Sequence, residues 1–275
     1  MAEPTRRTLL ASAAALLAGA PAPLEIAYGR ARLQRLDVYP DLALAGAPML
    51  LFVHGGAWGT GDKRDVHALP LYARRHGFLL ASTGYRLGAG AAAAAEDTAA
   101  AAAWLLAHGD RFGGDTRRLC LAGHSAGGHL AALIAIDPRF LARHGRAGDD
   151  LAGVIGLDGA GYDAARELAG MAAVMPAQEL ALWTRAFGDR AAALSPTRLV
   201  RPGGRYPPLL LFYTDHPGAR RSCLSLAAAL RGAGGRAAVV EAPGETHAEI
   251  DARFGLPGDA VGELAARFVA VGALP

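Results

Sequence analysis

The chain is poor in cysteine, in aromatic residues and in charge. Two cysteines in 275 residues leave no disulfide framework that could hold a small, loop-rich fold. Cys120 lies in a strand-like apolar run and Cys223 in a helix-like one, so both are expected as buried or half-buried thiols. No apolar run approaches the roughly twenty residues that span a bilayer, which argues against stable membrane insertion. Net charge is only +3 and the pI is about 9.1. The cations are scattered arginines without a long basic tract or aromatic–basic interleaving, so nucleic acid is not an expected partner. His-Glu-x-x-His is missing, and His124 and His129 fall five apart across a turn instead of four apart on one helix face, so no metal site is expected. The glycines at 55–61 lack the Gly-x-Gly-x-x-Gly of a dinucleotide loop, and no cofactor is expected. Neither an internal repeat nor an interdomain linker is visible.

What is present is a globular composition: 52% hydrophobic and 19% charged residues in a chain long enough for one large α/β domain. Residues 1–20 read as an export signal. Arg6 and Arg7 follow Thr5, and a mildly apolar stretch, Leu9–Ala20, ends in small residues before Pro21. It is too short to cross a bilayer and resembles a twin-arginine signal. The expected location is therefore periplasmic or secreted, or cytoplasmic if the segment is an ordinary N-terminus. Residues 21–275 are expected to form one domain.

Continuous apolar runs alternate with helix-like segments along the rest of the chain. "PMLLFV", "GFLLAST", "RLCLAG", "LAGVIGL", "PPLLLFY" and "RAAVVE" read as strands buried on both faces. Residues 65–76, 91–112, 126–136, 219–231 and 258–271 read as helices, and 24–40 as two short strands joined by a turn. This rhythm implies βαβ units, a mainly parallel central sheet and helices on both faces. Residues 161–206 break the rhythm and are expected to form a small helical cap.

The strongest local signal is Gly123-His124-Ser125-Ala126-Gly127, a Gly-x-Ser-x-Gly set between a strand and a helix. A nucleophile on such a sharp turn adopts strained backbone angles, and small residues two positions to either side make room for it. Ser125 needs a base and an orienting acid, which follow such an elbow in the order acid, then histidine. His247, in the loop after the last apolar strand, is the expected base. Asp215, at the end of "LLLFYTD", is the expected acid, with Asp158, Asp163 and Glu245 as runners-up. "HGGAW" at 54–58 follows an earlier strand. Its glycines let backbone amides approach a substrate carbonyl. Gly56, Ala57 and Ala126 are the expected N–H donors of an oxyanion hole, with Gly55 permitting the turn. His54 reads as a structural hydrogen-bonding residue, and Asp62 and Lys63 as a solvated turn. Trp58, Tyr162, Trp183 and Phe187, with Met175, are candidate pocket walls.

Taken together, His-Gly-Gly-x-Trp with Asp62-Lys63, then "GYRL", then "GHSAGGHLAAL", then an acid and a histidine in order resemble the α/β-hydrolase esterases. That group includes hormone-sensitive-lipase-like carboxylesterases, feruloyl/acetyl-xylan esterase-like enzymes and kynurenine formamidase-like enzymes. The similarity runs from about Pro48 to the C-terminus. It implies the α/β-hydrolase fold, a Ser-Asp-His triad, an acyl-enzyme intermediate and no metal. Ala57 departs from the pattern, since lipase-like members carry Gly there and formamidases Tyr, so the subgroup stays open. The expected activity is cleavage of a small-molecule ester with a small-to-medium acyl group. A formamidase-like amidase is the second reading, although an export signal argues against its usual cytosolic substrate. A non-catalytic hydrolase-fold binding protein is the third, against which stands the presence of all three triad candidates. Oligomeric state is not legible.

Overall fold

The computed structural model describes residues 22–41, 43–171, 176–216 and 218–275. The expected export signal at 1–20 and the pocket candidate Met175 lie outside the described residues.

The strands are β1 (Leu24–Ala27), β2 (Arg35–Tyr39), β3 (Ala47–Val53), β4 (Leu79–Thr83), β5 (Gly114–His124), β6 (Leu151–Leu157), β7 (Leu209–Tyr213) and β8 (Ala237–Glu241). They form one eight-stranded sheet in the order β1-β2-β4-β3-β5-β6-β7-β8. β2 runs antiparallel to β1 and to β4, and every other pairing is parallel. A parallel sheet needs crossover connections, and these run through α1 (Leu69–His76), α2 (Ala91–His108), α3 (Ala126–Ile136), α4 (Ala164–Met171), α5 (Ala177–Phe187) and α6 (Ala219–Gly232), while α7 (Glu249–Arg253) and α8 (Ala260–Val271) follow the last strand.

The strands are buried on both faces, and β3 shows how. Met49, Leu51 and Val53 join one apolar cluster with residues of α2, α3 and α6. Leu50 and Phe52 join the opposite cluster with residues of α1 and α8. Successive side chains of a strand point to opposite faces, so an uninterrupted apolar run is what a strand between two helical layers requires. Each leucine so buried contributes about 2 kcal/mol. The alanines of α2 let that helix lie close against its neighbours, and Ala94, Ala95, Ala99, Ala101 and Ala102 are fully buried. Gly77, at φ 71°, closes α1 in the left-handed conformation that glycine adopts without steric cost.

The first helical expectation is shortened: α1 begins at Leu69, not Asp65, because residues 62–65 close a turn through Asp62 and Asp65. Lys63 is also no solvated turn residue. Its ammonium lies 2.6 Å from Asp37 and 3.0 Å from Glu25, tying this loop to β1 and β2. Both cysteines are buried and unpaired. Burial pushes the Cys120 thiol up to about 12. Among the described residues no helix is long and apolar enough to cross a membrane. The C-terminal ends of β3, β5, β6, β7 and β8 share one edge of the sheet, and the segment 161–206 between β6 and β7 contributes α4 and α5 beside it.

Candidate active site

Ser125 occupies the turn between β5 and α3 at φ 52° and ψ −119°. A non-glycine residue in this region costs on the order of 1–3 kcal/mol and persists only where its surroundings hold it. They do so here. The Ser125 amide donates to the Leu157 carbonyl at 3.0 Å, and the Ser125 carbonyl accepts from His129 and Ala160, each at 3.2 Å. The two flanking glycines are required by space. A side chain at Gly123 would strike the backbone of Gly127, and one at Gly127 would strike the Val53 carbonyl of β3.

"HGGAW" forms a tight loop at the exit of β3. Gly56, Ala57 and Trp58 all have positive φ, at 104°, 48° and 59°. The Gly56 carbonyl is turned into the loop, where it accepts from Gly59, Thr60 and the Thr60 hydroxyl at 2.9–3.0 Å. Among the described residues no acceptor meets the Gly56 or Ala57 amide. The Ala126 amide, at the first position of α3, has no intrahelical partner by construction. Trp58 is clamped behind the loop. Its indole N–H donates to His129 Nδ1 at 3.2 Å, and its ring meets Trp183 and Phe187 edge-on. His129 Nε2 donates in turn to the Leu194 carbonyl at 2.8 Å. The ring is fully buried, and burial pushes its pKa down to about 4. His54 is stacked on Tyr85 and bonded to the Gly55 carbonyl at 2.8 Å, away from Ser125's cavity.

His247 lies between β8 and α7, and its partner corrects the expected acid. His247 Nδ1 donates to Asp158 Oδ2 at 2.6 Å. Asp158 stands at the exit of β6, where a positive φ of 47° swings its side chain toward the histidine loop. Aspartate is among the few residues that tolerate this conformation. The Asp158 carboxylate also accepts the Thr214 amide at 2.9 Å and the Thr214 hydroxyl at 2.8 Å. Burial raises its pKa, but the bonds from His247 and Thr214 outweigh burial and hold it below the usual carboxylate value. Asp215, the acid expected from the sequence, is exposed and lines an adjoining open cavity with Tyr213 and Glu241, which shares His216 with the Ser125 cavity but reaches neither Ser125 nor His247. Thr214 faces inward to Asp158, and Asp215, in the bend that follows it, is left exposed. The two further acidic candidates are engaged elsewhere: Asp163 pairs with Arg198 at 2.6 Å, and Glu245 faces Arg253 at 3.6 Å.

Ser125 and His247 open onto one cavity of about 380 Å³, whose walls include Ala57, Trp58 and Trp183. That volume falls in the range of small-molecule sites. Two pocket candidates are corrected. Tyr162 is fully buried beneath Gly156 and Gly159, and Phe187 is buried against Trp58 and Gly161; neither lines the cavity. His216, 5.0 Å ring to ring from His247, does line it. A second cavity of about 440 Å³ lies between the β1–β2 hairpin and residues 61–64, and contains neither Ser125 nor His247. Among the described residues, no group of three or more His, Cys, Asp or Glu is placed to hold a metal ion.

The acid ranked behind Asp215 from the sequence left a faint trace: Asp158, a runner-up there, opens a glycine-rich exit, "DGAG". His129 carried no visible sign of its link to Trp58, because that pairing joins positions 71 apart.

Solved structures share this architecture. A butyrate-bound esterase, Est2, from Thermogutta terrifontis superposes with a TM-score of 0.72 over 90% of this chain and 94% of that one, at 23% identity. The same esterase phosphoramylated by tabun gives a TM-score of 0.73 over the same shares, at 22% identity. The chain has the α/β-hydrolase fold. Within the chain, a family model described as BD-FAE matches residues 36–144, which carry the loop after β3 and the Ser125 elbow. Two Mycobacterium tuberculosis proteins are similar over a stretch of comparable length. "Probable carboxylic ester hydrolase LipM" is 39% identical over 126 residues, 42% of this chain and 29% of LipM. "Esterase LipC" is 36% identical over 126 residues, 42% of this chain and 31% of LipC. The chain thus spans about a third of the length of the curated relatives it matches.

Proposed function

We propose that this chain is a serine carboxylesterase that cleaves small-to-medium acyl esters through Ser125, His247 and Asp158. The observation that carries the reading is the placement of Ser125 and the Asp158-bonded His247 on one cavity, beside two backbone amides that have no acceptor among the described residues. Proton location follows from the chemistry. His247 donates from Nδ1 to Asp158, so its Nε2 keeps the lone pair and serves as the base. It takes the Ser125 proton as Oγ attacks the ester carbonyl carbon. The carbonyl oxygen becomes an oxyanion held by the Gly56, Ala57 and Ala126 amides. Collapse breaks the bond to the alcohol, which leaves with the proton from His247. Water then attacks the acyl-enzyme, gives its proton to His247, and the acid departs as Ser125 is reprotonated. Asp158 stays ionised throughout, fixing the tautomer and stabilising the cation.

The esterase names among the relatives and the butyrate bound by the structural neighbour support an ester with a short acyl group. The walls formed by Trp58 and Trp183 would face that group. The twin-arginine pattern at 5–7 supports export of the folded enzyme, which would be seen as fractionation of the protein outside the cytoplasm. The experiment that tests the activity is labelling with a fluorophosphonate, followed by comparison of p-nitrophenyl acetate, butyrate and decanoate with N-formylkynurenine. The expected result is a single adduct on Ser125 and turnover of the two short esters. A folded protein without an adduct would be a hydrolase-fold binding protein, and preference for the formamide would make it an amidase.

A further inference from the structure

His124, the residue between Gly123 and the nucleophile, is absorbed by neither the elbow nor the mechanism above. Its side chain is only 8% exposed. Nε2 donates to the backbone carbonyl of His247 at 2.7 Å. The two rings lie 4.6 Å apart at 42°. Toward the other side, the ring meets the loop after β3: a side chain at Gly55 would come within 2.9 Å of His124 Nδ1. One imidazole therefore touches the nucleophile's strand, the backbone of the base and the first glycine of the loop that carries the free amides.

The chemistry of the ring fits this placement. A carbonyl accepts only from an N–H, so Nε2 carries the proton. Burial lowers the His124 pKa, favouring the neutral ring with a bare Nδ1. Asp251 of α7, with Oδ2 3.5 Å from His124 Nδ1 and also 3.5 Å from His67 Nε2, pulls the other way but does not outweigh burial. Its Oδ1 is buried without a partner. The short bond to the His247 carbonyl is thus the one strong polar tie from His124. Losing it would take from the base's own residue the side-chain bond that holds its half-buried backbone in place.

Resting on the esterase reading, we propose that His124 is a positioning residue: it fixes the backbone of His247 relative to Ser125 and to the Gly55–Ala57 loop. Its single function is to present an N–H at the Nε2 position. Displacement of a reacting group by about 1 Å can cost on the order of a hundredfold in rate.

Three variants separate this role from plain packing. In His124→Gln the amide nitrogen reaches the place of Nε2, whereas in His124→Asn it reaches only that of Nδ1, and His124→Leu has no donor. With p-nitrophenyl butyrate, His124→Gln is expected to keep kcat within about fivefold of the parent. His124→Asn and His124→Leu are expected to lose about a hundredfold in kcat with KM changed less than about threefold. A packing role predicts instead that Gln, Asn and Leu follow their thermal stabilities, and equal kcat for Gln and Asn overturns the proposal. If the Asn protein does not fold, Gln against Leu makes the same contrast. A second readout does not depend on turnover: the downfield Nδ1 proton of His247, bonded to Asp158, should persist in His124→Gln and shift or broaden in His124→Asn. An unchanged signal in both variants would also overturn the proposal. Parent protein that fails to hydrolyse the ester while showing the Gln-versus-Asn contrast in this signal would sink the esterase reading alone.

Discussion

The exits of β6 and β7 each carry an aspartate at the same edge of the sheet, Asp158 and Asp215, and the two have different fates. Asp158 is buried and accepts from His247 and from both donors of Thr214. Asp215 is exposed and faces another cavity. Residue type and chain order do not separate them, because both precede His247 and both end an apolar strand. Backbone direction does. A positive φ at Asp158 turns its carboxylate toward the histidine loop, while at the β7 exit Thr214 takes the inward position and the bend at Asp215 leaves that side chain exposed. The acid thus sits on one strand and its polar support on the next.

The largest effect should come from Asp158→Asn. An amide at this position can orient His247 in the wrong tautomer and supplies no charge against the imidazolium. Loss of the corresponding acid in a serine-protease triad lowers kcat about ten-thousandfold, and a loss on the order of 10³- to 10⁴-fold is expected here. Steady-state kinetics on p-nitrophenyl butyrate decides it, and a loss of less than about tenfold would remove Asp158 from the mechanism. Thr214→Val comes next. It deletes the hydroxyl donor but keeps the backbone N–H, so Asp158 loses one charge-assisted hydrogen bond, on the order of 1.5–3 kcal/mol. Expressed in the transition state, that is roughly a tenfold to hundredfold loss in kcat, with KM little changed. An unaltered rate would mean that the β7 exit gives Asp158 no support.

Acid titration should separate the charged support from the neutral one. Asp158 has a depressed pKa, so its contribution to stability is complete above the unfolded carboxylate value and is lost only as pH falls through the lower folded value. His129 behaves differently. Its folded pKa is about 4, below the roughly 6.5 of a free histidine. Between those values the unfolded chain binds the extra proton, so stability falls as pH drops from about 6.5 toward about 4, by roughly 3 kcal/mol if His129 acts alone. His54 and His124, also lowered chiefly by burial, add to the same window. Denaturant unfolding at about pH 7 and about pH 4.5 measures the loss, and His129→Gln should flatten it. A slope identical to the parent's would show that His129 is not the neutral clamp behind Trp58.

Some of this site was legible because its geometry is local. Gly123, Ser125 and Gly127 specify a turn within five residues, and the glycines at 55 and 56 announce a loop of close backbone approach. The alternation of apolar runs with helices likewise led to the parallel sheet. The acid was not legible in the same way, because the choice depends on one φ angle at Asp158 and on which of Thr214 and Asp215 faces inward. The cap aromatics divided for a similar reason. Trp58 and Trp183 reach the cavity, whereas Tyr162 fills the space left by Gly156 and Gly159, and Phe187 backs Trp58. Helical spacing within 161–206 could not show which ring would stand in front.

Asp215→Asn should have the smallest effect, and it is the sharpest check on the comparison. Asp215 is exposed and takes part in no hydrogen bond or ion pair found among the described residues. An amide of the same shape should therefore leave both kcat and KM within about twofold, as is usual for surface changes away from a site. Its neighbour His216 lines the cavity, which makes a small change in KM the first sign of any indirect influence. The informative form of the experiment is the double variant. If Asp158 alone serves His247, Asp158→Asn with Asp215→Asn should have the kcat of Asp158→Asn, since removing an uninvolved carboxylate adds nothing. If Asp215 can swing in as a substitute, residual activity in Asp158→Asn would depend on it, and the double variant would fall at least about tenfold further. A third result, in which Asp215→Asn is the damaging single change and Asp158→Asn the mild one, would return the acid to β7. The 2.6 Å contact at Asp158 would then be a resting arrangement that the working enzyme abandons.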